Sequence, residues 1–120
     1  MAGILIIAHG SRKKETEIAM AKIVDMVKQE LPDYEAIDYT FLQFAKQNFE
    51  KTLLEFVNKG IDDIKVIPYF LFDGVHTKED IPKLIKDFTK KYPNVKVTLG
   101  RNLGEDTRLA QIVVDRVKEI

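Results

Sequence analysis

The sequence predicts an α/β fold, a three-layer sandwich in which a four-stranded parallel sheet of strand order 2-1-3-4 carries helices on both faces. Three observations lead there. Short apolar runs of strand length alternate with segments of helical periodicity along all 120 residues. Every two successive strand runs are separated by a helix, and a right-handed crossover of that kind returns the chain to the same end of the sheet, so the strands are parallel. No Pro/Gly-rich linker or low-complexity tract interrupts the pattern, and residues 1–120 read as one domain with one core.

The elements follow in order. Gly3 to Ala8 (GILIIA) is a first strand, and Ile18, Ala21, Ile23, Val24, Val27 and Leu31 mark the apolar positions of a first helix that Pro32 stops. Ala36 to Leu42 is the second strand; Phe49, Leu53, Phe56 and Val57 give the second helix, with Gly60 as its C-cap. Ile64 to Phe70 is the third strand, and Ile81, Leu84, Ile85 and Phe88 form a helix ending near Pro93. Val95 to Leu99 and a helix with Leu109, Ile112, Val113 and Val117 complete a flavodoxin-like arrangement.

Composition narrows the chemistry. Hydrophobic residues at 45% and charged residues at 32% are the balance of a soluble globular protein. No apolar run approaches the roughly 20 residues of a membrane span, and the N-terminus lacks the basic region of a secretory signal, so a cytoplasmic location is expected. Cysteine is absent, leaving His, Asp and Glu as the strong metal ligands. Lys plus Arg equals Asp plus Glu at 19 each, so no global basic field attracts nucleic acid, and an anionic partner must be met by a local cluster.

In an open parallel sheet, ligands bind beyond the carboxyl ends of the strands where the strand order switches, here between strands one and three. The only two histidines both fall there: His9 directly after strand one and His76 in the loop after strand three. Either alone is more often a polar loop residue than a ligand; the pair at one edge is the informative feature. Gly10 and Gly74 allow unusual backbone torsions and close ligand approach. Ser11 and Arg12 open the segment into the first helix, whose free N–H groups favour an anion. Lys13 and Lys14 add charge or form a solvated first turn. Asp80 before Ile81 and Pro82 reads mainly as an N-cap.

These residues resemble a known family. HGSR after the first strand, VIPYFLFDGVHTKEDIP after the third and LGEDTRLAQIVVDR into the last helix are similar to the short, CbiX-type class II sirohydrochlorin chelatases, in order and over nearly the whole chain. The resemblance implies ATP-independent insertion of a divalent metal, cobalt first with nickel or iron as alternatives, into sirohydrochlorin in cobalamin or siroheme biosynthesis. It implies His9 and His76 as the catalytic, metal-handling pair, the metal as substrate, and no permanent cofactor. Imidazole suits these metals, and the absence of GxxxxGK[ST] agrees with a reaction without ATP. Sirohydrochlorin's eight carboxylates call for local partners, first Ser11 and Arg12 and then Lys78. Phe72 and Val75 offer apolar contact to the macrocycle, whereas Phe70, inside the strand, reads as core.

One departure stands out: many relatives carry an acidic residue after strand two, where this chain has Gln43 in FLQFAKQ, a possible station on the metal path. No internal repeat of HGSR or GxH is visible, so a cleft with walls on both sides of the macrocycle implies a homodimer, with segments after strands two and three at its interface. Two alternatives remain at this point: a histidine-nucleophile phosphatase, although Ala8 stands where such enzymes have arginine, and a non-catalytic tetrapyrrole or metal carrier.

Overall fold

Parallel strands in the order β2-β1-β3-β4 form the sheet of a computed structural model that describes residues 2–10, 13–42, 45–74 and 76–120, the side chains of 45–47, 76 and 77 excepted. The elements are β1 (Ala2–Ala8), α1 (Lys14–Glu30), β2 (Ala36–Phe41), α2 (Ala45–Asn58), β3 (Asp63–Tyr69), a π-helical turn (His76–Asp80), α3 (Ile81–Lys91), β4 (Lys96–Leu99) and α4 (Thr107–Lys118). Strand order, parallel pairing and strand limits to within a residue or two agree with the sequence reading. Gly60, at φ +84°, ends α2 in the left-handed conformation that glycine accepts without strain.

β1 is buried on both sides because it is central, and its side chains alternate between two cores. Leu5 and Ile7 join Phe49, Leu53 and Phe56 of α2, Ile81 and Phe88 of α3, and Ile64 and Val66 of β3. Ile4, Ile6 and Ala8 face the other way, onto Met20 and Val24 of α1. The apolar stripe of α1 therefore differs from the expected one. Ile18, 47% exposed, lies about 160° around the helix from Met20 at 3.6 residues per turn, outside the stripe that meets the sheet. Leu31 sits past the last turn as the C-cap and is also exposed.

The α1 side of the sheet is only half covered. On β3 and β4 its residues are Asp63 opposite Lys96 and Lys65 opposite Thr98, followed on β3 by Ile67 and Tyr69, which pack with the α1-side core, while the apolar pairs Ile64–Val97 and Val66–Leu99 face α2 and α3. Lys65 Nζ donates to the Tyr34 hydroxyl at 2.6 Å and lies 5.1 Å from the centre of its ring. With Asp63, Lys65, Lys96 and Thr98 on it, this surface gives an amphipathic helix little to bury, and α4 does not fold back onto it. None of the 12 residues of α4 is buried, and among the described residues the helix makes no extended packing with any strand or helix. Ile112, Val113 and Val117, whose spacing marks this helix in the sequence, are exposed rather than turned to an internal core. The Cα radius of gyration, 15.1 Å, exceeds the roughly 13.6 Å of a compact chain of this length because α4 projects.

Candidate functional site at the carboxyl edge of the sheet

β1 ends at Ala8, level with Phe41 of β2 and Tyr69 of β3, so the next residue of each strand emerges at one edge. His9 is that residue on β1: it is exposed, and its ring meets Phe70 edge-on with centroids 6.3 Å apart. Phe70 also packs on the core between the sheet and α2–α3, so the ring beside His9 is itself anchored. Gly10 then turns the chain away at φ +91°, and a Cβ there would fall 2.6 Å from Phe41 Cβ. Only glycine fits both the torsion and the space.

The segment after β3 is built differently. Phe70 leads to Leu71 and Phe72, which are 50% and 81% exposed, and the chain reaches the π-helical turn that opens at His76. The Lys78 amide donates to the Gly74 carbonyl at 3.0 Å, and the turn passes directly into α3, whose first residue, Ile81, is completely buried. The backbone of His76 is thereby tied through one turn to a core anchor. Gly74 differs from its expected role: it is not in the left-handed region and a Cβ there would meet nothing, so it gives open space rather than an unusual torsion. Asp80 makes no side-chain cap for α3, since the chain is already helical when it arrives; Pro82 does occupy the first turn. Lys78 is exposed at the same turn.

Of the remaining expected site residues, Ser11, Arg12, Gln43 and Val75 lie outside the described residues. The first turn of α1 modifies the idea of an anion site at the start of that helix. Glu15 and Glu17 occupy it, and their carboxylates complement the helix dipole and compete with an anionic ligand. Lys13 and Lys14 are exposed, as a solvated first turn would be.

Sequence reasoning overlooked the loop after β4. It is fastened to the loop after β3: Asn102 Nδ2 donates to Asp73 Oδ1 at 2.6 Å, the Leu103 amide donates to the Phe70 carbonyl at 2.9 Å, and Gly104 crosses so close that a Cβ would collide with the Leu71 carbonyl. Between the two loops lies an open groove of about 370 Å³ lined by Leu71, Phe72, Asp73, Arg101, Asn102, Gly104 and Glu105. Arg101 brings an exposed cation to the same sheet edge as His9. The signal was present in the sequence, because Arg101 stands two residues after the last strand, as His9 stands directly after the first. At the end of this loop Asp106 caps α4, accepting from the Arg108 amide at 2.9 Å and from its guanidinium at 2.6 and 2.8 Å. That guanidinium, with the Arg108 amide and the nearby charge of Arg101, holds the Asp106 carboxyl well below the usual carboxylate range. Among the described residues, no group of three or more His, Asp or Glu side chains could hold a metal ion.

The molecule is thus a doubly wound α/β protein whose histidine-bearing segments leave adjacent parallel strands at the switch point of the sheet. The CbiX family model matches residues 3–120. Sirohydrochlorin cobaltochelatase of Methanopyrus kandleri is 30% identical over 139 residues, covering 99% of this chain and 96% of that one. Sirohydrochlorin ferrochelatase of Priestia megaterium is 31% identical over 119 residues, covering 99% of this chain but 44% of its own length. The crystal structure of the sirohydrochlorin chelatase SirB from Bacillus subtilis subspecies spizizenii in complex with cobalt superposes with a TM-score of 0.89 at 28% identity, over 99% of this chain and 50% of that one. The chain belongs to the CbiX family.

Proposed function

We propose that the protein inserts a divalent metal, cobalt first, into sirohydrochlorin without ATP, in tetrapyrrole biosynthesis in the cytoplasm and without a permanent cofactor. The observation that carries this reading is the family match over residues 3–120 together with the position of both histidine segments at one sheet edge. Cobalt is favoured because relatives matched over nearly their whole length, those of Methanopyrus kandleri and Sulfurisphaera tokodaii, are named cobaltochelatases, whereas the ferrochelatase of Priestia megaterium is a far longer chain. Neither the phosphatase nor the carrier alternative has comparable support.

Insertion of a divalent ion releases two pyrrole protons, so charge balances without a redox step. The site needs a group that holds the incoming metal and a group that accepts protons. An imidazole nitrogen cannot do both at once, and we assign the roles jointly to His9 and His76. Macrocycle carboxylates are met by Arg101 and Lys78, exposed at the edge, together with Ser11 and Arg12. Phe72 offers an exposed aromatic face. A broad macrocycle needs a wall on its second side, which a second subunit supplies across a shared cleft. The test is an absorbance assay of sirohydrochlorin with Co²⁺, Ni²⁺ or Fe²⁺ and no ATP. Spectral conversion well above the protein-free rate, fastest with Co²⁺, is expected; conversion no faster than the protein-free control with every metal would overturn the reading.

A further inference from the structure

The groove of about 370 Å³ between the loops after β3 and β4 brings together Asp73, Arg101 and Glu105, and Asp106 follows directly in the chain. Their partners divide them. Asp73 accepts from Asn102 Nδ2 at 2.6 Å, and Asp106 accepts from the Arg108 guanidinium at 2.6 and 2.8 Å and from its amide at 2.9 Å. Both acids are therefore held by donors other than Arg101. Arg101 is exposed and makes no hydrogen bond or ion pair among the described residues, so its planar set of donors is open to a ligand.

Fixed contacts carry this loop to the site. The Leu103 amide donates to the Phe70 carbonyl at 2.9 Å, and Phe70 is the residue whose ring meets His9. Because β3 lies between β1 and β4, the loop stands two strand spacings from His9, roughly 10 Å across the edge at about 4.8 Å per strand. That span is comparable to the reach from the centre of a tetrapyrrole to the carboxylates on its rim. The groove is smaller than such a macrocycle, so a side arm enters it while the ring stays beside His9.

We propose that residues 101–105 form a specificity-determining subsite for one ionised side arm of the macrocycle, in which Arg101 grips the carboxylate and Glu105 keeps a second carboxylate out. The inference rests on the chelatase reading and assigns which residues read the rim. A carboxylate accepts two parallel hydrogen bonds from a guanidinium, whereas a primary amide turns its own N–H groups toward that donor and brings no charge. Glu105 lines the same groove and repels a further anion. It adopts φ +54°, the left-handed conformation that is costly for a residue with a Cβ and collects at functional positions.

The test compares equilibrium binding of metal-free sirohydrochlorin, followed by its fluorescence, with binding of a derivative whose side arms are primary amides. KM and kcat for Co²⁺ insertion are measured beside it. The wild type is expected to bind the carboxylate form about 10-fold more tightly or better. Arg101→Gln should raise its dissociation constant and KM about 10-fold, the scale of one charge-assisted contact, with kcat nearly unchanged and the amide form unaffected. Arg101→Lys recovers part of the loss, since an ammonium grips as a point charge. Glu105→Gln shifts the carboxylate form the other way, toward tighter binding. Lys59→Gln, which removes the same charge just past α2 at the opposite edge of the sheet, changes neither form. Unchanged affinity in Arg101→Gln, an equal loss for the amide form, or an equal loss in Lys59→Gln overturns the subsite, as does weaker binding of the carboxylate form by Glu105→Gln. Metal insertion that is indifferent to Arg101 leaves the chelatase reading standing without this subsite. The expected binding pattern without metal insertion leaves the subsite standing and removes the chelatase reading instead.

Discussion

Helices α3 and α4 are nearly the same length, both amphipathic and both preceded by a loop at the carboxyl edge, yet they have opposite fates. α3 buries Ile81 and Phe88 against the sheet and α2, and stacks Phe88 on Tyr92 with ring centroids 4.8 Å apart. α4 buries nothing. The difference lies in the strands rather than in the helices: β3 and β4 present Ile64, Val66, Val97 and Leu99 to α3 and present Lys65, Lys96 and Thr98 on the other face. An apolar helix face is therefore buried within the chain only where the facing strands are apolar as well. The docked helix ties down the His76 turn, and the undocked one leaves its apolar face exposed.

The largest effect expected from this contrast is on folding. Phe88→Ala in α3 removes a ring that is 2% exposed and should cost about 3–5 kcal/mol, whereas Val117→Ala in α4, at a side chain 63% exposed, should stay within about 0.5 kcal/mol. Urea denaturation of both variants measures the pair; equal losses would remove the distinction between the helices. Next comes the crossing of the two edge loops. Gly104→Ala forces a Cβ into the Leu71 carbonyl and is expected to cost about 1–3 kcal/mol while loosening the start of α4. Faster exchange of the Leu103 amide, which bonds Phe70, would report the same event. Gly10→Ala should cost about 1–2 kcal/mol for a left-handed torsion alone and displace His9, so that insertion falls further than stability does. Retained activity at the temperature where the variant is folded would show that the placement of His9 does not matter.

The smallest effect is electrostatic. The guanidinium of Arg108 holds the Asp106 carboxyl below its ordinary value, so the contribution of this cap is present above the unfolded carboxylate pKa near 4 and fades as pH falls through the depressed folded value. Asp106→Ala should reduce α4 helicity at pH 7, seen by circular dichroism, and the gap between variant and wild type should close in strong acid. A gap independent of pH would assign the cap to packing instead.

Much of the scaffold was legible in the sequence because alternation and helical spacing are local. Ile4 to Ala8 show a strand buried on both faces, and Gly60 shows where α2 ends. The histidine edge was legible through topology: once β1 and β3 are neighbours, His9 and His76 follow. The fate of α4 was not, since periodicity shows that Ile112 and Val113 share a face but not what meets it. A clue lay in Lys65, Lys96 and Thr98, whose alternation marks one sheet face as polar. The π-helical turn also escaped, because GVHTKEDIP carries the Asp-Ile-Pro signature of a capped helix start, and nothing local shows that the chain is already wound when it reaches Asp80.

The central claim is that His9 and His76 work together at the switch point of the sheet. Its most direct test is the initial rate of Co²⁺ insertion into sirohydrochlorin, without ATP, by the wild type, His9→Ala and His76→Ala, each checked for an unchanged far-ultraviolet spectrum. The account predicts a loss of about 100-fold or more in both variants, the scale of a positioned acid–base or metal-delivery group. Near wild-type rates in both variants would contradict it.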